Sequence, residues 1–257
     1  MTVTVEAAEV ERRFGDLEVL DRVGFTLSSG EVLAVIGPSG CGKSTLLGLL
    51  AGLDDPSAGK ISVAGRTDRE GRRAGSALMP QSDCLLPWFQ ALDNAGLAIR
   101  NRGASRREAR EAARPVFERL GLAGFERAMP DELSGGMRQR VAFARTWLAG
   151  KGVLLLDEPF ASLDGLTRRD LQEWVAPILA GEGRSTVLVT HDLDEALYLG
   201  TRVLVMSGRP GRIVGTLDAP ERAGMGPVEA AGSPAFGRAR GELASLLSSA
   251  RAGGRSS

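Results

Sequence analysis

The stretch Val32-Leu33-Ala34-Val35-Ile36-Gly37-Pro38-Ser39-Gly40-Cys41-Gly42-Lys43-Ser44-Thr45 decides the fold. Five apolar residues in a row read as a strand buried on both faces of a parallel sheet. The strand runs into the pattern G-x-x-x-x-G-K-S, and residues 44–51 read as a helix. Glycines in such a turn let successive backbone N–H groups face inward at phosphate oxygens. The helix that follows adds its positive N-terminal end. The expected cradle is Gly37, Ser39, Gly40, Cys41, Gly42 and Lys43, with Thr45 beyond it. Lys43 can reach the β- and γ-phosphates of a nucleotide, and the Ser44 hydroxyl can ligate Mg²⁺. A plain Gly-rich turn with a surface lysine is the alternative. Against it, lysine fills only three of the 32 cationic positions, Lys43, Lys60 and Lys151, and one falls here. Because Cys41 lies inside the loop, a bulky thiol reagent is expected to block nucleotide binding, with bound nucleotide protecting.

Downstream, residues 153–156 are apolar and end in Asp157-Glu158. A carboxylate at the end of a strand beside a phosphate loop can hold Mg²⁺, which is the role expected of Asp157. Glu158 is then placed to orient or deprotonate an attacking water. Between these motifs lies Leu133-Ser134-Gly135-Gly136-Met137-Arg138-Gln139-Arg140. Ser134 is a good helix N-cap, and a capped helix start offers free N–H groups and a hydroxyl to an anion. Taken alone, Ser-Gly-Gly reads equally as a capped helix and nothing more.

The rest of the chain frames these motifs. Residues 3–10, 19–27 and 60–64 read as strands, and residues 52–59 as a loop. From about 92 to 150 the pattern is helical. Ala109, Ala112, Val116 and Leu120 recur at helical spacing over 105–120, where Pro115 should kink or restart the helix. After 150, strands 153–156, 186–190 and 202–206 alternate with helices 168–179 and 193–199, which implies a parallel α/β sheet. Residues 219–232 read as a loose connector and 236–247 as a terminal helix. There is no internal repeat and no heptad run.

Hydrophobic residues are 43% and charged residues 25% of the 257. This excludes a long disordered chain and a collagen-like or disulfide-stapled scaffold. Lys+Arg and Asp+Glu are both 32, so there is no global pull toward nucleic acid or anionic lipid. Two cysteines, Cys41 and Cys84, suit a reduced compartment and exclude a zinc site of several cysteines. The N-terminal six residues show no basic start with an apolar run, so no signal peptide is expected. The apolar runs are far shorter than the ~20 residues that cross a bilayer.

The set of motifs and their order resembles the nucleotide-binding subunit of ATP-binding cassette (ABC) transporters, over about residues 3–216. The resemblance implies a P-loop (RecA-like) α/β core with an N-terminal antiparallel β subdomain and an inserted α-helical subdomain at about 88–150. Residues 1–218 would form one ATPase domain and 219–257 a C-terminal connector with a short helix. It further implies that Phe14 stacks on adenine, and that Gln81 senses Mg²⁺ and couples to the permease. The loop Ser162-Leu163-Asp164 would follow the acid pair. His191, the chain's one histidine, would contact the γ-phosphate. The expected cofactors are ATP and Mg²⁺. The expected partners are a second nucleotide-binding subunit in a head-to-tail dimer, an integral-membrane permease and, indirectly, an external solute-binding protein. That places the chain peripherally, on the cytoplasmic face of the membrane. Ser134 and Gly136 of one chain would complete the site built by the other chain's Lys43 and Asp157.

Met137 departs from the family's usual Gln in the signature. Methionine cannot hydrogen-bond as Gln does, but Ser134 and both glycines persist. Leu85-Leu86-Pro87-Trp88, LSGGMRQRV at 133–141 and Val205-Met206-Ser207-Gly208-Arg209-Pro210-Gly211-Arg212-Ile213 resemble the nitrate/sulfonate/taurine importer ATPases. Trp88 and Phe89 are either interface anchors or subdomain core. An exporter, a lipoprotein-release or other non-import ABC complex shares every ATPase motif. A nucleic-acid-acting ABC ATPase fits poorly with zero net charge and no long insertion between Lys43 and Asp157.

Overall fold

The structure is a computed structural model and describes residues 2–253 apart from Ser162, Glu182 and Ala223. The elements run β1 (Val3–Phe14), β2 (Leu17–Ser28), β3 (Val32–Ile36), α1 (Lys43–Leu50), β4 (Ala58–Val63), α2 (Arg69–Gly75), β5 (Ser76–Met79), α3 (Ala91–Ala95), α4 (Leu97–Asn101) and α5 (Arg106–Arg119). They continue with α6 (Gly135–Trp147), β6 (Val153–Asp157), α7 (Gly165–Gly181), β7 (Ser185–Val189), α8 (Leu193–Leu199), β8 (Arg202–Met206), β9 (Ile213–Asp218), α9 (Pro227–Gly232) and α10 (Pro234–Gly253).

Two sheets form. One is antiparallel, in the order β2-β1-β4, and the other is six-stranded, in the order β5-β6-β7-β3-β8-β9. The second is parallel except for β9, which pairs antiparallel with β8. The continuous apolar strands follow from burial on both faces, since successive side chains point to opposite sides. Val32, Ala34 and Ile36 of β3 join the cluster under the helices. Leu33 and Val35 join a second cluster with α1 and the antiparallel sheet. β6 divides the same way: Leu154 and Leu156 face the helices, Val153 and Leu155 the other side. No helix among the described residues is long and apolar enough to cross a membrane.

Several expectations need correction. Helix α5 is one element that continues through Pro115, which is exposed. Its buried stripe is Ala109, Ala113 and Phe117, carried on by Leu120, and not Ala112. Steps of four, four and three hold one face of a 3.6-residue helix, so the aromatic ring fixes which face turns inward. The connector at 219–232 contains α9, which begins at Pro227 with its fixed φ suited to a first helical turn. The terminal helix is longer than 236–247 and spans Pro234–Gly253. Three elements lay outside the sequence reading. They are α2, the short β5, and β9, whose alternating half-buried pattern marks a sheet edge.

Asp93 organises the helical segment between β5 and β6. Arg106 and Arg110 both donate to its carboxylate, at 2.6–3.0 Å, tying α5 to α3. Burial opposes the charge, but the bonds from Arg106 and Arg110 outweigh it and hold the carboxyl down at about 2. Buried Asn94 accepts from Leu86 N at 2.8 Å and donates to Phe89 O at 2.9 Å, shaping the 86–90 loop. On that loop Trp88 is 68% exposed, with its ring edge-on to Phe89. Trp88 is therefore not core.

Candidate active site

The site sits at the carboxyl ends of four neighbouring parallel strands. Their order β5-β6-β7-β3 places four connections side by side. Gln81 follows β5, Asp157 and Glu158 close β6, His191 follows β7, and residues 37–42 follow β3. Ligands of open α/β sheets bind at this edge, because helix N-termini and strand ends both face it.

The 37–42 loop leads into α1, whose N-cap Gly42 has φ +104°. A side chain there would lie 2.6 Å from Leu20 Cδ2, so packing against β2 demands glycine as much as the φ does. Lys43 is 7% exposed, and its Nζ donates to Gly37 O at 2.9 Å and Pro38 O at 3.0 Å. Cys41 departs from the sequence reading. The residue is buried in the apolar cluster with Leu46, and its thiol lies beneath the loop, 3.9 Å from Lys43 Nζ. Burial pushes the thiol pKa up, against the pull of Lys43, and a buried thiol is a poor nucleophile. Native labelling with a bulky maleimide should therefore fall on exposed Cys84, and Cys41 should react only after unfolding. Peptide mass spectrometry before and after denaturation checks this, and rapid native modification of Cys41 would contradict it.

Asp157 ends β6 in register with Val189. Its carboxyl pKa is raised, chiefly by burial. A hydrogen bond from Ser44 works the other way, Glu158 adds repulsion, and Lys43 opposes it. Glu158 has φ +45°, unusual for a residue with a side chain, and its N–H donates to Val189 O at 2.9 Å. This turn carries its carboxylate across to β7. Glu158 Oε2 accepts from Gln81 Nε2 at 3.2 Å and lies 3.3 Å from His191 Nδ1. Three residues drawn from three strand ends thus meet at one oxygen.

Gln81, Glu158 and His191 line one cavity of about 540 Å³ together with Lys43, Ser44 and Thr45. Ser39, Gly40 and Gly42 line it as well. So do Val19 and Arg209, which the sequence reading did not place here. Arg209 donates to Gly40 O from 169 residues away, through Nε at 3.2 Å and Nη2 at 3.0 Å. Its only linear signal is the branch-level motif at 205–213, and spacing carries no trace of that contact. A larger cavity, of about 770 Å³, lies between α7, α8 and the 219–226 segment and holds none of the motif residues.

Phe14 does not line the cavity. It ends β1 half-exposed, with the Arg12 guanidinium 4.3 Å from its ring centroid. Ser134 caps α6, its Oγ accepting from Met137 N at 3.2 Å, and Ser134, Gly135 and Gly136 lie apart from the cavity lining. Gly136 is required by close packing: a Cβ would meet Thr167 Cγ2 at 2.5 Å. Asp164 caps α7, accepting from Thr167 N at 3.1 Å and Thr167 Oγ1 at 2.7 Å, and the Thr167 bond lowers its pKa. Ser162 lies outside the described residues. Helix α6 also grips the segment after Gln81. Arg138 Nε donates to Asp83 Oδ2 at 3.1 Å, and Arg145 donates to the carbonyls of Asp83 and Cys84, each at 2.6 Å.

The family described as ABC transporter matches residues 20–161. The "Taurine import ATP-binding protein TauB" of Burkholderia pseudomallei (strain 1710b) is 43% identical over 202 residues, 79% of this chain and 77% of that protein. The protein of the same name from Pseudomonas aeruginosa (strain UCBPP-PA14) is 41% identical over 247 residues, 94% of each chain. Among solved structures, the ATP-binding cassette MJ0796, a dimer in a post-hydrolysis state bound to ADP and Pi, superposes with TM-score 0.74 at 28% identity. The match covers 84% of this chain and 99% of that one. With both its sequence and its two-sheet architecture in agreement, the chain belongs to the ABC transporter family, as an ATP-binding ATPase.

Proposed function

We propose that this chain is the ATP-hydrolysing subunit of an importer for a small sulfonate such as taurine, or for nitrate or a similar solute. The observation that carries the ATPase mechanism is the meeting of Gln81, His191 and Glu158 in the cavity of the phosphate loop. The naming of relatives 41–44% identical as taurine import proteins supports the direction and solute class. Residues 1–218 act as one ATPase domain with a helical unit at about 88–150, and 219–257 as an appendage.

In this reading the loop amides and Lys43 hold the β- and γ-phosphates. Glu158 accepts a proton from the attacking water, with Gln81 and His191 orienting its carboxylate from either side. Phe14 offers its exposed ring to adenine, and Asp164 shapes the loop beside the acid pair. The residues present suit Mg²⁺. A half-buried carboxyl at Asp157, bonded to the Ser44 hydroxyl and beside Glu158, keeps its pKa raised despite nearby Lys43, and so offers oxygen donors that a cation would stabilise. Among the described residues, no group of three or more acidic, histidine or cysteine side chains is placed to hold a metal ion by itself. That matches Mg²⁺, which is commonly bound by one or two carboxylates plus substrate phosphates, with Gln81 in reach of the same edge. When bound, Mg²⁺ neutralises developing charge on the phosphoryl oxygens.

Ser134, Gly135 and Gly136 lie outside the cavity lining, which supports a site completed by a second copy in a head-to-tail dimer. The chain works peripherally, on the cytoplasmic face, with exposed Trp88 offered to a membrane permease and an external binding protein supplying the solute. The test is co-purification with the permease and reconstitution in proteoliposomes with the binding protein inside. Taurine or a related sulfonate in the lumen should raise ATP turnover, and stimulation by no sulfonate or nitrate would remove the solute assignment.

A further inference from the structure

We propose that Arg209 is a positioning residue for the phosphate loop, holding the Gly40–Cys41 peptide so that its N–H faces the bound nucleotide. The inference rests on the reading that residues 37–44 bind ATP. Gly40 has φ +74° and no side chain, so the peptide that follows it has little intrinsic preference for one orientation. In a trans peptide the C=O and N–H point in opposite directions. A hydrogen bond that fixes the carbonyl therefore aims the amide. Arg209 fixes it with Nε and Nη2 both directed at Gly40 O, at 3.2 and 3.0 Å. On the far side of the same peptide, Cys41 N donates to Pro38 O within the loop, at a long 3.3 Å. Lys43 Nζ donates to that same Pro38 oxygen. A phosphate oxygen would have to displace only this long bond, with the peptide's other end already fixed by Arg209.

The arginine is presented by a built turn. Ser207 N donates to Arg212 O at 2.8 Å and Arg212 N to Ser207 Oγ at 2.9 Å, closing residues 207–212 on themselves. Gly211 N donates to Val19 O and Asp21 N to Gly211 O, at 2.8 and 3.1 Å, fastening the turn to β2. Arg212 adds an ion pair with Asp21. The backbone of the turn presses on the loop directly: a Cβ on Gly211 would lie 2.2 Å from Cys41 O. Arg209 therefore acts from a platform contiguous with the phosphate loop, and its guanidinium lines the nucleotide cavity.

The experiment compares the parent chain, Arg209→Ala and Lys43→Ala by calorimetric titration with MgADP and by steady-state ATPase assay. Charge-assisted bonds at an exposed site predict about a tenfold rise in the MgADP dissociation constant for Arg209→Ala, with a matching rise in KM and kcat within about twofold. A merely structural role would lower the active fraction, reducing kcat with KM unchanged, and that result overturns the inference. The nucleotide-free melting temperature, unchanged in Arg209→Ala, separates loss of positioning from loss of fold. If Lys43→Ala loses MgADP while Arg209→Ala binds as the parent does, the positioning role is overturned and the phosphate-loop reading stands. If Lys43→Ala binds as the parent does, that reading falls and this inference with it.

Discussion

Glu158→Gln is expected to lower ATP turnover by about 10²–10⁴-fold, the usual contribution of a positioned general base. The geometry gives the reason. Glu158 Oε2 takes the Gln81 amide at 3.2 Å and sits 3.3 Å from His191 Nδ1, so its orientation is fixed from both flanks. The substituted amide keeps the shape and one acceptor oxygen but loses the charge and the basicity. Nucleotide binding should persist, because Lys43, Ser44 and Asp157 are untouched. Removing a negative charge near the γ-phosphate also lessens repulsion where two copies would meet. ATP should therefore drive Glu158→Gln into a long-lived dimer on size-exclusion chromatography. Adding Ser134→Arg should abolish that dimer, since a long side chain would replace the exposed hydroxyl at the start of α6. Near-normal turnover in Glu158→Gln would remove the base from the mechanism. A dimer indifferent to Ser134→Arg would remove the shared site.

Lys43→Ala should erase most of the stabilisation that ATP confers. A ligand that binds only the folded chain at about a hundred times its dissociation constant adds about 2.7 kcal/mol. The parent should show the corresponding rise in melting temperature. Lys43 is 7% exposed and already aimed along the loop, with Nζ on Gly37 O and Pro38 O. Truncation deletes the one lysine lining the cavity and leaves those two carbonyls without its ammonium. Differential scanning calorimetry with and without MgATP measures the difference. A parent-like ATP shift in the variant would mean that the phosphates are held elsewhere.

Where local rules are strong, the sequence was readable. Residues 32–51 read as strand, glycine turn and helix, because a continuous apolar run, a Gly-rich Gly-Lys-Ser turn and a leucine-rich helix each leave a short-range signature. Observed strand β3 and helix α8 coincide with the ranges read from periodicity. The 69–79 segment was opaque for the opposite reason. Strand β5 has four residues, too few for a period to register, and it is a strand because it pairs with β6. Helix α5 was read with the right length but the wrong stripe, since Ala112 and Ala113 are equivalent until packing chooses between them.

By itself, then, the sequence determined the α/β class, the phosphate loop and the chemical types available at the site, because these are properties of neighbours along the chain. Only the tertiary structure decided that Gln81, Glu158 and His191 share one oxygen, since sheet order β5-β6-β7-β3 is set by long-range pairing. It also decided that Cys41 turns its thiol inward, that Trp88 stands out, and that Arg209 returns across 169 residues to Gly40. Each depends on which face a backbone presents after packing. Burial of apolar surface sets that face collectively, and no residue's own neighbours encode it.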